Sequence, residues 1–181
     1  MFKNFQGAIL RLSDNWVNFI EREKYFNQPI KYLEISSDYG SNLLSVAETY
    51  AGHPNSEIYS FYFRPNNDEK TNVYHTFLVN IENSLYRNKI RIYNGNLYEK
   101  YPSLNDNYFD IIYIQCSGDP DTVLENAVIS YRKLKIGGYM IFSQEGNPES
   151  TRGIDSFLNS YSAKVKKLGE NQGQIFTMRL K

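Results

Sequence analysis

The side chains able to do chemistry in this chain gather in short polar stretches that follow apolar runs. In KYLEISSDYGSN, Lys31 to Asn42, Glu34 lies inside a strand-like run, and a small polar turn with one glycine, Gly40, comes after it. This is either a nucleotide-binding turn with some of its glycines replaced or only the loop after a first β-strand, and the residues by themselves leave both open. A second stretch, Gln115 to Asp121, follows the apolar run FDIIYIQ, and a third, Ser143-Gln144-Glu145, follows Tyr139 to Phe142. Asp119, Asp121 and Glu145 are oxygen donors of the type that holds a hard cation or acts as a general base. The remaining reactive types read as structural. Cys116 is a small residue at a strand end, since a reactive thiol needs an electropositive setting. His53 stands beside the helix-ending Pro54 and His75 inside a helix, so both read as surface or packing residues. Gly137-Gly138 reads as a turn requirement, and Asp110 as a structural acid.

The elements that must position these stretches follow from hydrophobic spacing. From Phe5 to Phe26, Ile9, Leu12, Trp16, Phe19 and Ile20 recur at helical intervals, which predicts an amphipathic packing helix within an N-terminal segment, residues 1–29, ahead of the first strand. Strands are expected at Ile30–Ile35, Glu57–Phe63, Lys89–Tyr93, Phe109–Gln115 and Tyr139–Phe142. Helices are expected at Asn42–Ala51, Asn72–Arg87, Thr122–Leu134 and Gly153–Tyr161. The unbroken apolar run Phe109–Gln115 is that of a central strand buried on both faces of a parallel sheet. The last two strand-like runs, AKVKKLG and QIFTMRLK, flank a short polar turn, Glu170 to Gly173, and so form an antiparallel hairpin. The fold class is therefore α/β: a doubly wound, mostly parallel Rossmann-like sheet with helices on both faces and a C-terminal antiparallel hairpin. In such a sheet, ligands bind beyond the carboxyl ends of the strands.

Bulk properties narrow the function. The 181 residues, 41% of them hydrophobic, suit one domain spanning 1–181. Twenty basic and twenty acidic residues give a formal charge of zero, so no overall electrostatic term favours nucleic acid or an anionic membrane. One cysteine makes no internal disulfide, and the N-terminal stretch lacks the apolar core of a signal peptide, so a cytoplasmic location is expected. No run approaches the roughly 20 apolar residues that span a bilayer.

The ordered series YLEISSDYGSN, FDIIYIQCSGDPDTVLENA, LKIGGYMIFSQE and TRGIDSFLNSY resembles the small class I S-adenosylmethionine-dependent methyltransferases. The likeness is to the group that contains sugar and other small-molecule O-methyltransferases, and it extends over nearly the whole chain. The final hairpin is similar to that family's last two strands. The resemblance implies S-adenosylmethionine as cofactor, with Glu34, Ser36, Gly40, Asn42, Tyr62, Asn96 and Gln115 as its contacts. Ser36 takes the place of the first glycine, Tyr62 that of the acid that binds the ribose, and Asn96 that of the Asp that meets the adenine amino group. It implies Gln115, Asp119 and Glu145 as catalytic residues. Where metal-using members carry acids, this chain has Gln115, Asn126, Ser143 and Gln144, so no metal is expected.

The function expected is methyl transfer to a hydroxyl of a small molecule such as a sugar, with no nucleic-acid or membrane partner and with a homo-oligomer left open. The alternative is a non-catalytic protein that keeps the fold as a binding or assembly module. A nicotinamide oxidoreductase disagrees with both the glycine pattern and the terminal hairpin.

Overall fold

The computed structural model describes all residues except 1–3, 10, 22–24, 26, 63–67, 96, 117 and 145–147. Two compact units are present, residues 1–97 and 98–181. Among the described residues, seven strands form one sheet in the order β3-β2-β1-β4-β5-β7-β6. Among the described residues no helix is long and apolar enough to cross a membrane.

In the first unit, β1 (Lys31–Ile35), α1 (Ser41–Glu48), β2 (Glu57–Tyr62), α2 (Asp68–Glu82) and β3 (Ile90–Asn94) alternate. The strands are parallel, with Ile35 opposite Phe61 and Tyr62 opposite Asn94. The end of α1 is closed by a side chain from far along the chain: Lys89 Nζ donates to the carbonyls of Ala51, Gly52 and His53 at 3.0, 3.1 and 2.8 Å. A cation at a helix C-terminus also meets the favourable end of its dipole.

The expected helix over Phe5–Phe26 is corrected. Its described helical core is a 3-10 helix, Leu12–Asn18, and residues 5–9 are not helical. Asn4 and Gly7 have φ of 66° and 92°, and left-handed backbone cannot start a right-handed helix. Ile9, expected inward, is 50% exposed, whereas Trp16 is fully buried against the rings of Tyr32 and Tyr50, 6.2 and 5.4 Å away.

A single turn, α3 (Leu97–Lys100), follows β3. The second unit then contains β4 (Phe109–Gln115), α4 (Pro120–Lys133), β5 (Leu134–Ser143), α5 (Pro148–Ser160), β6 (Val165–Asn171) and β7 (Gln174–Arg179). Every residue of β4 but Asp110 is buried, as its apolar run requires, and Asp110 is paired with Lys135 at 2.6 Å. Pro120 opens α4, where its missing N–H costs nothing, and Arg132 and Lys133 close it.

The segment Lys135–Gly138 is the first part of β5 and not a turn ahead of it. Gly137 has φ 76°, the register against β4 shifts between Phe109 and Ile111, and a Cβ on Gly138 would lie 3.0 Å from the Asp110 carbonyl. The glycine pair thus serves a strand irregularity. The hairpin forms as expected, with a two-residue turn: Gln172 and Gly173 have φ of 47° and 71°, the pair of left-handed residues that matches strand twist.

Gly153 sets the approach of α5 to α4, since a Cβ there would lie 2.4 Å from the Pro120 carbonyl oxygen and 2.9 Å from Val123 Cβ. Gly153→Ala is expected to destabilise the protein by about 1–3 kcal/mol through overpacking. Urea unfolding checks this, with Ser156→Ala on the exposed side of the same helix staying within about 0.5 kcal/mol of the parent.

Candidate functional site

The turn after β1 is built on a buried carboxyl. Glu34, in the buried part of β1, is 1% exposed. Its Oε2 accepts from Tyr32 Oη at 2.5 Å and from Asn42 Nδ2 at 2.8 Å. Asn42 Oδ1 in turn accepts from Ser13 N at 3.1 Å, and Ser13 Oγ donates to Ser45 Oγ at 2.7 Å. The chain of bonds ties the end of β1 to the first turn of α1 and to the N-terminal 3-10 helix. Burial pushes the Glu34 carboxyl up to about 7, against the opposing donation by Tyr32, Asn42 and Ser37.

Between Glu34 and α1 the backbone turns through three left-handed residues, Ser36, Asp38 and Gly40, with φ of 66°, 43° and 86°. Ser36 N donates to the Phe61 carbonyl at 2.9 Å, and the hydroxyls of Ser37 and Ser60 share a hydrogen bond of 2.8 Å, so the turn is anchored on β2. Gly40 is needed for two reasons, its φ and the ring of Phe77, which a Cβ would meet at 3.0 Å. Ser36 takes up a conformation that suits glycine and carries its side chain at a cost of roughly 1–2 kcal/mol.

Tyr62 ends β2 and is 3% exposed. Its ring packs on those of Tyr74 and Phe77 from α2, with centroids 4.5 and 5.2 Å away. Burial first, and then the nearby hydroxyls of Tyr74 and Tyr39, push its ionisation up to about 12, so it is a neutral phenol at any physiological pH. Its hydroxyl has no hydrogen-bond partner among the described residues. Tyr74, three residues from Phe77 on α2, completes this cluster and escaped sequence reasoning; the aromatic i, i+3 spacing was the available signal. The structure thus brings Glu34 and Asn42 into direct contact, and Gly40 and Tyr62 against one ring.

In the second unit, Gln115 ends β4 at 8% exposure, in register with Ser143 of β5. Asp119 caps α4, accepting from Thr122 N and from Thr122 Oγ1, both at 2.9 Å. The Thr122 N–H is the main cause that holds its carboxyl below the usual range. Cys116 is buried, with its Sγ donating to the Ile114 carbonyl. Asn96 and Glu145 lie outside the described residues. Among the described residues no three His, Cys, Asp or Glu side chains are grouped as a metal ion requires.

The Glu34 carboxyl gives a pH signature. Because the native state holds this proton up to about pH 7 and the unfolded chain releases it near 4.5, the native state binds more protons between those values. Its contribution to stability is therefore full below about pH 4.5 and is lost as pH rises to 7, by up to roughly 3 kcal/mol. Glu34→Gln is expected to remove this slope in urea midpoints measured from pH 4.5 to 7.5.

No protein-family model matches the chain, and no curated protein sequence matches it. Solved structures do. The O-methyltransferase TomG from Streptomyces achromogenes, involved in tomaymycin synthesis and solved with S-adenosylmethionine, superposes with a TM-score of 0.70 at 10% identity, over 96% of this chain and 82% of its own. The precorrin-6y C5,15-methyltransferase of Geobacter metallireducens GS-15 gives a TM-score of 0.64 at 17% identity, over 96% of this chain and 91% of its own. With its strand order and its antiparallel β7, the chain has the fold of the class I S-adenosylmethionine-dependent methyltransferases.

Proposed function

We propose that this protein is an S-adenosylmethionine-dependent methyltransferase that methylates a hydroxyl of a small molecule, such as a sugar, without a metal. The observation that carries the reading is the Tyr62 hydroxyl, buried and without a partner among the described residues, at the end of β2. A buried polar group left unpaired costs about 1–3 kcal/mol, which a bound ribose hydroxyl would recover. The residues fit the cofactor in this way: Gly40 and the backbone of Ser36 line the methionine side, Tyr62 meets the ribose, and Glu34 and Asn42 hold the turn from behind. The resemblance adds Asn96 and Gln115 to the contacts.

When bound, S-adenosylmethionine supplies an electrophilic methyl on a sulfonium. Positioning is the chief demand of such an in-line displacement. Of the proposed catalytic residues, Asp119 is occupied as a helix cap with a weakened basicity, so Gln115 orients the acceptor and Glu145 takes its proton. The second reading, a non-catalytic binding or assembly module, is favoured by the commitment of Glu34, Asn42 and Asp119 to structural bonds.

S-Adenosylhomocysteine at a hundred times its Kd is expected to raise the melting temperature by roughly 5 °C or more. Tyr62→Phe is expected to stabilise the free protein by up to about 1 kcal/mol while weakening S-adenosylhomocysteine three- to tenfold in calorimetry, the value of one neutral hydrogen bond. An unchanged melting temperature at millimolar ligand supports the binding-module reading instead.

Methyl transfer is expected to persist in EDTA, because Gln115, Asn126, Ser143 and Gln144 carry no charge for a hard cation. Loss of activity in EDTA that magnesium restores would show that carboxylates elsewhere hold a metal.

A further inference from the structure

We infer that Asn80, on α2, is a positioning residue for the β1–α1 turn: its carboxamide sets the direction of the Tyr39–Gly40 peptide, and with it the backbone that a cofactor would meet. The inference rests on the methyltransferase reading of that turn. Asn80 is 3% exposed, and its Nδ2 donates to the Tyr39 carbonyl at 2.9 Å. The N–H of the same peptide, on Gly40, donates to the Ser37 carbonyl at 2.7 Å. The C=O and N–H of a planar trans peptide point to opposite sides, so both bonds are met in one orientation and lost together if the peptide turns over. Gly40 takes φ of either sign at little cost, so the local chain by itself gives this peptide little preference. The choice falls to α2, which meets the turn at two consecutive residues: Asn80 at Tyr39, and Phe77, three positions earlier on the same face, at Gly40.

Gln6 fixes which way the amide faces. Asn80 Oδ1 accepts from Gln6 N and its Nδ2 donates to the Gln6 carbonyl, both at 2.9 Å. With the amide reversed, its nitrogen would face an N–H and its oxygen two carbonyls, so the donor is committed to Tyr39. The turn needs such support. Ser36, Asp38 and Gly40 are all left-handed, a conformation that persists only when the surroundings hold it. Three bonds from outside do so: Ser36 N to the Phe61 carbonyl and the Ser37–Ser60 hydroxyl pair reach β2, and Asn80 reaches Tyr39 from α2. A ligand that bonds to this backbone binds more tightly when the turn is held in shape beforehand.

The test uses Asn80→Leu and Asn80→Asp in the full chain, with His75→Ala on the exposed side of the same helix as the control. The first substitution removes every bond of the amide, whereas the second keeps an acceptor for Gln6 N and loses the donor to Tyr39. Hydrogen–deuterium exchange without ligand should show the peptide over residues 36–44 exchanging about tenfold faster in both variants, with residues 109–115 unchanged as the control for global unfolding. Calorimetry, at a temperature where circular dichroism shows each protein fully folded, should show S-adenosylhomocysteine bound about five- to tenfold more weakly by both, and with the parent's Kd by His75→Ala. A residue that only stabilised the fold would lower the melting temperature and leave the Kd of the folded protein unchanged. Should Asn80→Leu fail to fold, Asn80→Asp gives both readouts. Parent-like exchange over residues 36–44 overturns the inference, and so does faster exchange with a parent-like Kd. If exchange rises and S-adenosylhomocysteine binds neither parent nor variant, Asn80 still sets the turn and the methyltransferase reading falls.

Discussion

A carboxyl with no water around it must find donors or a proton, and the end of β1 is arranged around that need. Tyr32 and Asn42 both point at one oxygen of Glu34, and Asn42 can do so only while its own oxygen takes the Ser13 amide. Removing any one partner leaves a buried polar group unmet, which costs more than the bond itself contributed. The position of α1, the shape of the turn at 36–40 and the docking of Trp16 on Tyr32 and Tyr50 are therefore consequences of the same set of bonds.

The same unit exchanges charge for aromatic packing at the end of β2. A carboxylate there would need solvent or a ligand to satisfy it, whereas Tyr62 gains its place from Tyr74 and Phe77 whether or not anything binds. The cluster stabilises the end of β2 and leaves the Tyr62 hydroxyl without a partner among the described residues. Phe77 links this packing to the turn, because Gly40 lies against the same ring. The turn and the end of β2 thus share one ring, and a change at either is felt by the other.

The sequence was most legible where local signals agreed. The unbroken apolar run of β4 and the polar turn of the hairpin each had a short-range cause, and each formed as expected, whereas α4 starts two residues ahead of the expected Thr122 because Asp119 caps it and Pro120 opens it. The N-terminal helix failed because Ile9, Leu12 and Trp16 keep helical spacing while Gly7 takes a left-handed conformation fixed by contact with Tyr39, thirty-two positions away. Lys135–Gly138 misled for a related reason: two glycines mark a turn or a strand irregularity equally well, and the choice lay in the pairing with β4. Among the candidate site residues, the structural duties of Glu34, Asn42 and Asp119 were not legible. Their partners, Tyr32, Ser13 and Thr122, are ordinary residues whose role is visible only once the backbone has brought them within hydrogen-bond distance.

The order in which strands leave the ribosome differs from their order in the sheet. β7 lies between β5 and β6, antiparallel to both, so the edge of β5 is covered only by a strand made after α5 and β6. At about 5–20 residues per second, synthesis leaves that hydrophobic edge unpaired for several seconds. β5 is buried along Tyr139–Ser143 in the finished fold and carries no charged side chain there, so the nascent chain presents an open sheet edge without the charges that usually protect one. Until the turn at Gln172-Gly173 brings β7 back onto it, this stretch is therefore the part of the sheet most open to pairing with another chain.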